Sequence, residues 1–309
     1  MKTLTKTALT VAGSAASGLA YACLIERNAF VLRERSAPVL PPGSRSLRVL
    51  QVSDIHLMPG QRRKVAWIKE LARLRPDMVI NTGDNLSHPD SVEPLLDAMS
   101  PFLDLPGAFV MGSNDYYAPK MKNPAQYLTK RVTRPDTPRL PTEALIAGLG
   151  ASGWVDLDNA RRRLAVGGLD VELVGVDDPH IRLDRYDEVS APADPTADLT
   201  LGVLHAPYQR VLDAMTRDGV SMIIAGHTHG GQLALPFYGA LVTNCDLDRG
   251  RAKGVSRWWP GVDGAPDSAA PDDAAWMHVS AGLGTSPYAP ARFACRPEAT
   301  LLTLTPRPR

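Results

Sequence analysis

The stretch "VSMIIAGHTHGGQL", Val220–Leu233, runs from an apolar segment straight into two histidines and three glycines. Val220–Ile224 has the look of a buried strand. His227 and His229 follow it at a spacing of two, flanked by Gly226, Gly230 and Gly231. Glycine lets a backbone turn where other residues strain, so the pattern predicts a strand that ends in a sharp loop with both imidazoles turned to one side. A metal ion is the simplest reason to place them there.

The same junction of apolar run and metal-binding side chain recurs along the chain. "SLRVLQVSD" (Ser46–Asp54) reads as a strand that ends at Asp54 and His56, and "PDMVINTGDN" (Pro76–Asn85) as one that ends at Asp84. "GAFVMGSND" (Gly107–Asp115) ends at Asn114 and Asp115, and "LTLGVLHAP" (Leu199–Pro207) carries His205. Between the first strands, Val65, Ile68, Leu71 and Leu74 fall at helical spacing, and a second helix is expected over Ser91–Ser100. Strand, helix, strand, helix, strand predicts an α/β fold whose first sheet is largely parallel. Further along, a helix is expected over Glu143–Gly153 and a hairpin turning at Gly167-Gly168. A helix over Tyr208–Arg217 and late strands at Trp276–Ser280 and Thr300–Thr305 complete the reading, with Arg249–Ala275 as an excursion loop.

Ligands in open α/β sheets collect beyond the carboxyl ends of the strands, so Asp54, His56, Asp84, Asn114, His205, His227 and His229 can converge from distant parts of the chain. Mixed nitrogen and oxygen donors suit Mn, Fe or Zn better than Ca or Mg. Seven donors exceed what one tetrahedral ion takes, and two ions sharing a carboxylate is the economical arrangement. Taken singly, "DIH", "TGDN" and "GSND" are ordinary strand-end and turn sequences. Their order, each at the end of an apolar run, is what points to a site.

The series "DIH", "GDN", "SND", a single His and "GHTH" resembles the calcineurin-like metallophosphoesterases, whose pattern is D-x-H, G-D-x-x, G-N-H-D/E, H and G-H-x-H. The resemblance spans roughly Leu47–Leu304, and "GHTHGGQ" is further similar to a membrane-associated bacterial branch of phosphodiesterases and UDP-diacylglucosamine pyrophosphatases. It implies a four-layer αββα sandwich of two mixed β-sheets with the metal site at the C-terminal ends of the strands. It also implies a first metal on Asp54, His56 and His229, a second on Asn114, His205 and His227, and Asp84 as the bridge. The activity implied is hydrolysis of a phosphomonoester, phosphodiester or pyrophosphate through a bridging hydroxide. Aligning Asn114 as a ligand puts Ser113 where the family has glycine and Asp115 where it has the histidine that assists the leaving group. Asn114 and Asp115 are therefore the catalytic candidates, with Asp115 expected to orient a neighbour such as His56 or a bound water. That departure leaves a rival reading, a metal-binding scaffold or binding protein that has lost turnover. A binuclear hydrolase of amides or lactones fits the asparagine ligand and GD loop less well.

Composition narrows the partners. A net charge of +1 over 309 residues gives no electrostatic footprint for nucleic acid, and the runs at Arg161–Arg163 and Gln61–Lys64 read as solvated faces. Thr7–Ile25 carries no charge and follows Lys2 and Lys6. Its length suits a bilayer, although it is rich in Ala, Gly, Ser and Thr. An uncleaved anchor, a cleaved signal and a packed helix all fit, with the anchor favoured, which predicts membrane association of an otherwise cytoplasmic protein. "RERSAPVLPPGSRS" (Arg33–Ser46) reads as a linker, so residues 1–45 form the N-terminal segment and 46–309 the domain. The expected substrate is a phosphorylated small molecule or a lipid-linked one; Tyr116–Leu128 and Arg257–Gly261 read either as loop packing, the favoured reading, or as an aromatic wall for a lipid or nucleotide. Cys245 and Cys295 can pair only in an oxidising compartment; otherwise they are small buried hydrophobes.

Overall fold

A computed structural model describes residues 13–14, 16–121 and 137–308 of the chain. Alternate residues of a strand face opposite ways, and that period sorts the apolar runs into two faces. Among the described residues fourteen strands result. β1 is Val31–Leu40, β2 Leu47–Val52, β3 Met78–Asn81, β4 Gly107–Phe109, β5 Val155–Asp156, β6 Ala160–Val166 and β7 Leu169–Gly175. β8 is Leu199–Val203, β9 Met222–Ala225, β10 Ala234–Leu235, β11 Gly239–Ala240, β12 Gly254–Trp258, β13 Ala275–Val279 and β14 Glu298–Pro306.

One six-stranded sheet has the order β1-β14-β2-β3-β4-β5, and the other β12-β13-β9-β8-β7-β6. Both are mixed: β14 runs antiparallel to β2, and β6 and β12 run antiparallel to the neighbours they pair with. Val49, Met78 and Ile80 from the first sheet meet Leu173, Leu201, Val203 and Ile224 from the second in the space between them. The alternate residues point outward. Leu50, Val52 and Val79 pack under helices Arg62–Glu70, Val92–Met99 and Thr142–Gly150 through Ile68, Leu95 and Leu145. Val174 and Ile223 pack under helix Gln209–Arg217 through Leu212 and Met215. The layers are thus helix, sheet, sheet, helix.

Two segments differ from the sequence reading. Most of the stretch read as a linker is strand β1, whose register with β14 runs from Val31 opposite Glu298 to Leu40 opposite Pro306. Its prolines and charged residues hid it, because an edge strand needs fewer apolar side chains and tolerates proline. Likewise the expected excursion loop contains β12, another edge strand, paired antiparallel with β13. Trp258 on β12 is 1% exposed, and its Nε1 donates to Asp213 at 3.0 Å. That tryptophan belongs to the outer core of the second sheet, not to a wall of the site.

Residues 7–12 and 15 of the uncharged N-terminal segment lie outside the described residues, as do 122–128 of the tyrosine-rich loop. Among the described residues no helix is long and apolar enough to cross a membrane. Residues 16–20 are helical, Tyr21–Ile25 is wound as a π-helix, and Glu26–Asn28 forms a 3-10 turn. Glu26 ties this segment to the domain by accepting the backbone N–H groups of Ala294 (3.1 Å) and Cys295 (2.7 Å). Cys245 and Cys295 are not joined in a disulfide.

Candidate metal centre

Every proposed ligand sits just past the carboxyl end of a strand: Asp54 and His56 after β2, Asp84 after β3, Asn114 after β4, His205 after β8, and His227 and His229 after β9. Because β2, β3 and β4 run parallel, as do β8 and β9, their ends open on one edge of the sandwich. Asp54, His56, Asp84 and His229 form one cluster, with a donor atom from each within 4.8 Å of the others. His56 Nε2 lies 3.3 Å from His229 Nε2 and 3.5 Å from Asp84 Oδ2, and His229 Nε2 lies 3.6 Å from Asp54 Oδ1. On the other side of Asp84, His205 Nε2 is 3.5 Å from Oδ1, and His227 Nδ1 is 3.2 Å from His205 Nε2. Asn114 reaches the same carboxylate twice, through its backbone N–H and through its amide, each at 2.7 Å.

The histidines are aimed by what their other ring nitrogens touch. His205 Nδ1–H donates to the Thr82 carbonyl at 2.7 Å, and His227 Nε2–H to the Asn244 carbonyl at 3.3 Å. His56 Nδ1 meets Ser87 Oγ at 3.3 Å. Such partners fix ring orientation in metal sites. Burial drives the His56 imidazole down to about 4 and holds His227 and His229 well below the ordinary histidine range. Burial thus favours the neutral form of all three rings, the form with a lone pair to offer a cation. His205 differs: burial opposes its charge, but the Asp84 carboxylate raises it well above that range. Asp84 is the reciprocal case, held well below the carboxylate range because His205 outweighs its burial. Burial, with Asp84 adding, pushes Asp54 up to about 6. Buried neutral imidazoles interleaved with carboxylates are the donor set of a borderline divalent cation.

The backbone is as unusual as the side chains. Asp54, His56, Asp84, His227 and His229 all have left-handed φ, between 45° and 70°. The sharp turn expected of the glycines is therefore shared with the histidines themselves. Gly226 serves by absence instead: a Cβ there would lie 2.1 Å from Ser53 Oγ and 2.6 Å from Asp54 Oδ2.

Asp115 is turned to the backbone of its neighbours. Its carboxylate accepts the backbone N–H groups of Asn85 (2.8 Å), Leu86 (3.2 Å) and Gly112 (3.0 Å), and the Asn85 amide at 3.3 Å. Burial, with Asp84 adding, still pushes it up to about 7. Neither His56 nor the centre of the cluster is its partner; it fastens the loop after β3 to the turn after β4.

Two features had no signal in the sequence. Arg292, fully buried, donates to the carbonyls of Ala281, Gly282, Gly284 and Cys295, and its Nη2 lies 3.3 Å from His229 Nδ1. Beneath Asp54, a buried relay runs from His278 through Gln51, Thr82 and Ser53 to the Asp54 carboxylate. It links a strand of each sheet. An isolated arginine, glutamine or histidine in an apolar stretch carries no pattern, so only the folded chain reveals these roles.

Residues 47–231 match the family model described as calcineurin-like phosphoesterase. With more than half its length matched, and with Asp54, His56, Asp84 and His229 clustered at the strand ends, the chain belongs to that family of hydrolases. It is similar to an uncharacterized metallophosphoesterase of Bacillus subtilis, YkuE, at 25% identity over 94% of this chain and 91% of that one. It is also 27% identical to a Bos taurus transmembrane protein with metallophosphoesterase domain, over 63% of this chain and 43% of that protein. Among solved structures it resembles a dimetal phosphatase from Danio rerio, with a TM-score of 0.40, 11% identity, and 80% and 88% of the two chains covered.

Proposed function

We propose that the protein hydrolyses a phosphomonoester, phosphodiester or pyrophosphate at a centre of two metal ions. The observation that carries this reading is the position of Asp84, whose two oxygens each lie 3.5 Å from a different histidine, Oδ2 from His56 and Oδ1 from His205. That is the placement of a carboxylate shared by two ions. Asp54, His56 and His229 then hold the first ion, and Asn114, His205 and His227 the second. When bound, the ions, Mn, Fe or Zn by their donors, supply an activated water and neutralise charge on the phosphoryl group. The protein's own work is positioning. The Thr82 and Asn244 carbonyls hold two histidine rings in register, and Asp115 fixes the loops that carry Asp84 and Asn114.

The surface beside the site supports an amphiphilic substrate. Twelve of the thirteen exposed large hydrophobic side chains among the described residues lie in 19–25, 233–242 and 288–293. These segments meet. Tyr21 packs edge-on against Phe293 at 6.4 Å, Leu233 bridges to Phe293, and Gln232 donates to the Ala289 carbonyl. The segment 233–242 begins four residues after His229, and the chain returns at Asn244 to touch His227. A phosphoester whose apolar part stays in a lipid surface is the substrate class that fits, a reading supported by the relative named as a transmembrane protein with metallophosphoesterase domain.

The test measures hydrolysis of an aryl phosphodiester, a phosphomonoester and a pyrophosphate with Mn²⁺ or Zn²⁺ supplied, alongside metal content. Wild type should hold two equivalents and turn over, whereas Asp84→Asn should lose activity and bind both ions weakly. Two equivalents retained in Asp84→Asn would overturn the shared-carboxylate assignment. Two equivalents in wild type with no turnover on any ester would make the protein a metal-binding scaffold.

A further inference from the structure

Asp178 lies outside the sequence motifs and is 0% exposed. It follows β7, which runs parallel to β8 with Gly175 opposite Val203, so the loop after β7 lies alongside the one that carries His205. Its Oδ1 accepts the backbone N–H of His180 at 2.8 Å, while its Oδ2 is buried with no hydrogen-bond partner. The same loop reaches His227, whose ring centre is 4.5 Å from that of His180. No Lys or Arg forms a salt bridge with Asp178 among the described residues.

A buried carboxylate oxygen without a donor is costly unless a proton or a cation answers it, and burial pushes Asp178 up to about 7. The charged groups that act most strongly on Asp178 include His205, Asp84 and Asp177. Of these, His205 alone can carry positive charge, and a cation held by His205 and Asp84 would answer the open oxygen of Asp178. Resting on the two-metal reading above, we infer that Asp178 supplies a further oxygen donor to the second ion, alongside Asp84, Asn114, His205 and His227. The loop after β7 thereby joins those after β3, β4, β8 and β9 in building that position. A third carboxylate also brings the negative charge of the site closer to that of two divalent ions. The local sequence suits the role: "DDPH" (Asp177–His180) opens a 3-10 turn that Asp178 caps with one oxygen, which frees the other.

The experiment titrates metal-free wild type and Asp178→Asn with Mn²⁺, followed by calorimetry and by the spin-coupled Mn signal, and records the melting of both metal-free proteins. Asparagine keeps the oxygen that caps His180 and removes the charge. The first equivalent should bind as in wild type and the second ~10–100-fold more weakly, the loss usual for a disturbed metal shell. The coupled signal should fade in proportion. Without metal the variant should melt no lower than wild type, because it no longer buries an unanswered carboxylate. Both equivalents binding as in wild type would overturn the inference, as would a lower metal-free melting point with both equivalents weakened alike. A wild type that takes one ion overturns the two-metal reading itself and this inference with it.

Discussion

Five of the seven residues assigned to the metals stand in the left-handed region, where an L-residue with a side chain loses roughly 1–2 kcal/mol. Backbone contacts hold them there. The Asp54 N–H donates to the Gly83 carbonyl at 2.9 Å, the His56 N–H to that of Asp84 at 3.0 Å, and the His227 N–H to the Asp54 carboxylate. Strain of this kind persists where surrounding structure over-determines it, and here neighbouring loops lock one another. Gly226 is the narrowest point of that lock. Gly226→Ala should weaken the first metal more than tenfold and cost about 1–3 kcal/mol of stability, the usual price of forcing a methyl into a packed site. Metal titration and chemical denaturation check this; wild-type affinity in the alanine variant would show that Ser53 and Asp54 yield without consequence.

Among the elements, the strands that feed the site were legible because each is an apolar run that ends abruptly in a candidate ligand. "VLQVSDIH" and "MIIAGHTH" show a strand and its candidate donors together. β1 and β12 were not legible, since edge strands carry prolines and arginines and their pairing is decided by distant partners. Asp178 was equally hidden: its sequence context is that of any turn, and its isolation from donors exists only once the β7 and β8 loops are side by side. The unread strand β1 leads to a prediction. A chain begun at Arg45 lacks β1 and the Glu26 anchor, so β14 becomes an open edge. It should melt lower than the full chain and self-associate more readily, as uncovered edges do, while a chain begun at Gly18 should keep both. Thermal melts and light scattering compare them, and equal behaviour of the two truncations would show that β1 adds nothing to the sheet.

At the scale of the whole molecule, the polar metal cluster opens beside an apolar face with Phe237, at 111% relative exposure, at the hairpin between β10 and β11. Leu233–Val242 contains no charged residue, and Arg249 sits over the ring of Tyr238 at 4.6 Å from its centre. An apolar tip with an aromatic ring and a cation beside it would suit a surface that dips into lipid, which is what we propose for this face. Phe237→Ser should weaken association with phospholipid vesicles about 10–100-fold, the equivalent of ~1.5–3 kcal/mol for one large apolar side chain. Hydrolysis of a water-soluble aryl ester should be unaffected. Vesicle flotation and the soluble-substrate assay separate the two, and unchanged flotation of the variant would place the face against something other than lipid.

The order β1-β14-β2 has a consequence for how the protein is made. β14 is the filler between two strands that leave the ribosome early, and Val52 and Glu298 are separated by most of the chain. At ordinary elongation rates roughly 10–50 s pass between them. During that interval β1 and β2 have no strand between them, and the Glu26 carboxylate has no Ala294 or Cys295 to receive. The nascent chain can assemble β2, β3 and β4 and their helices, but its first sheet closes only when the last strand slides into the gap. A chaperone that shields the unfilled seam would therefore matter more to this protein's yield than to its final stability.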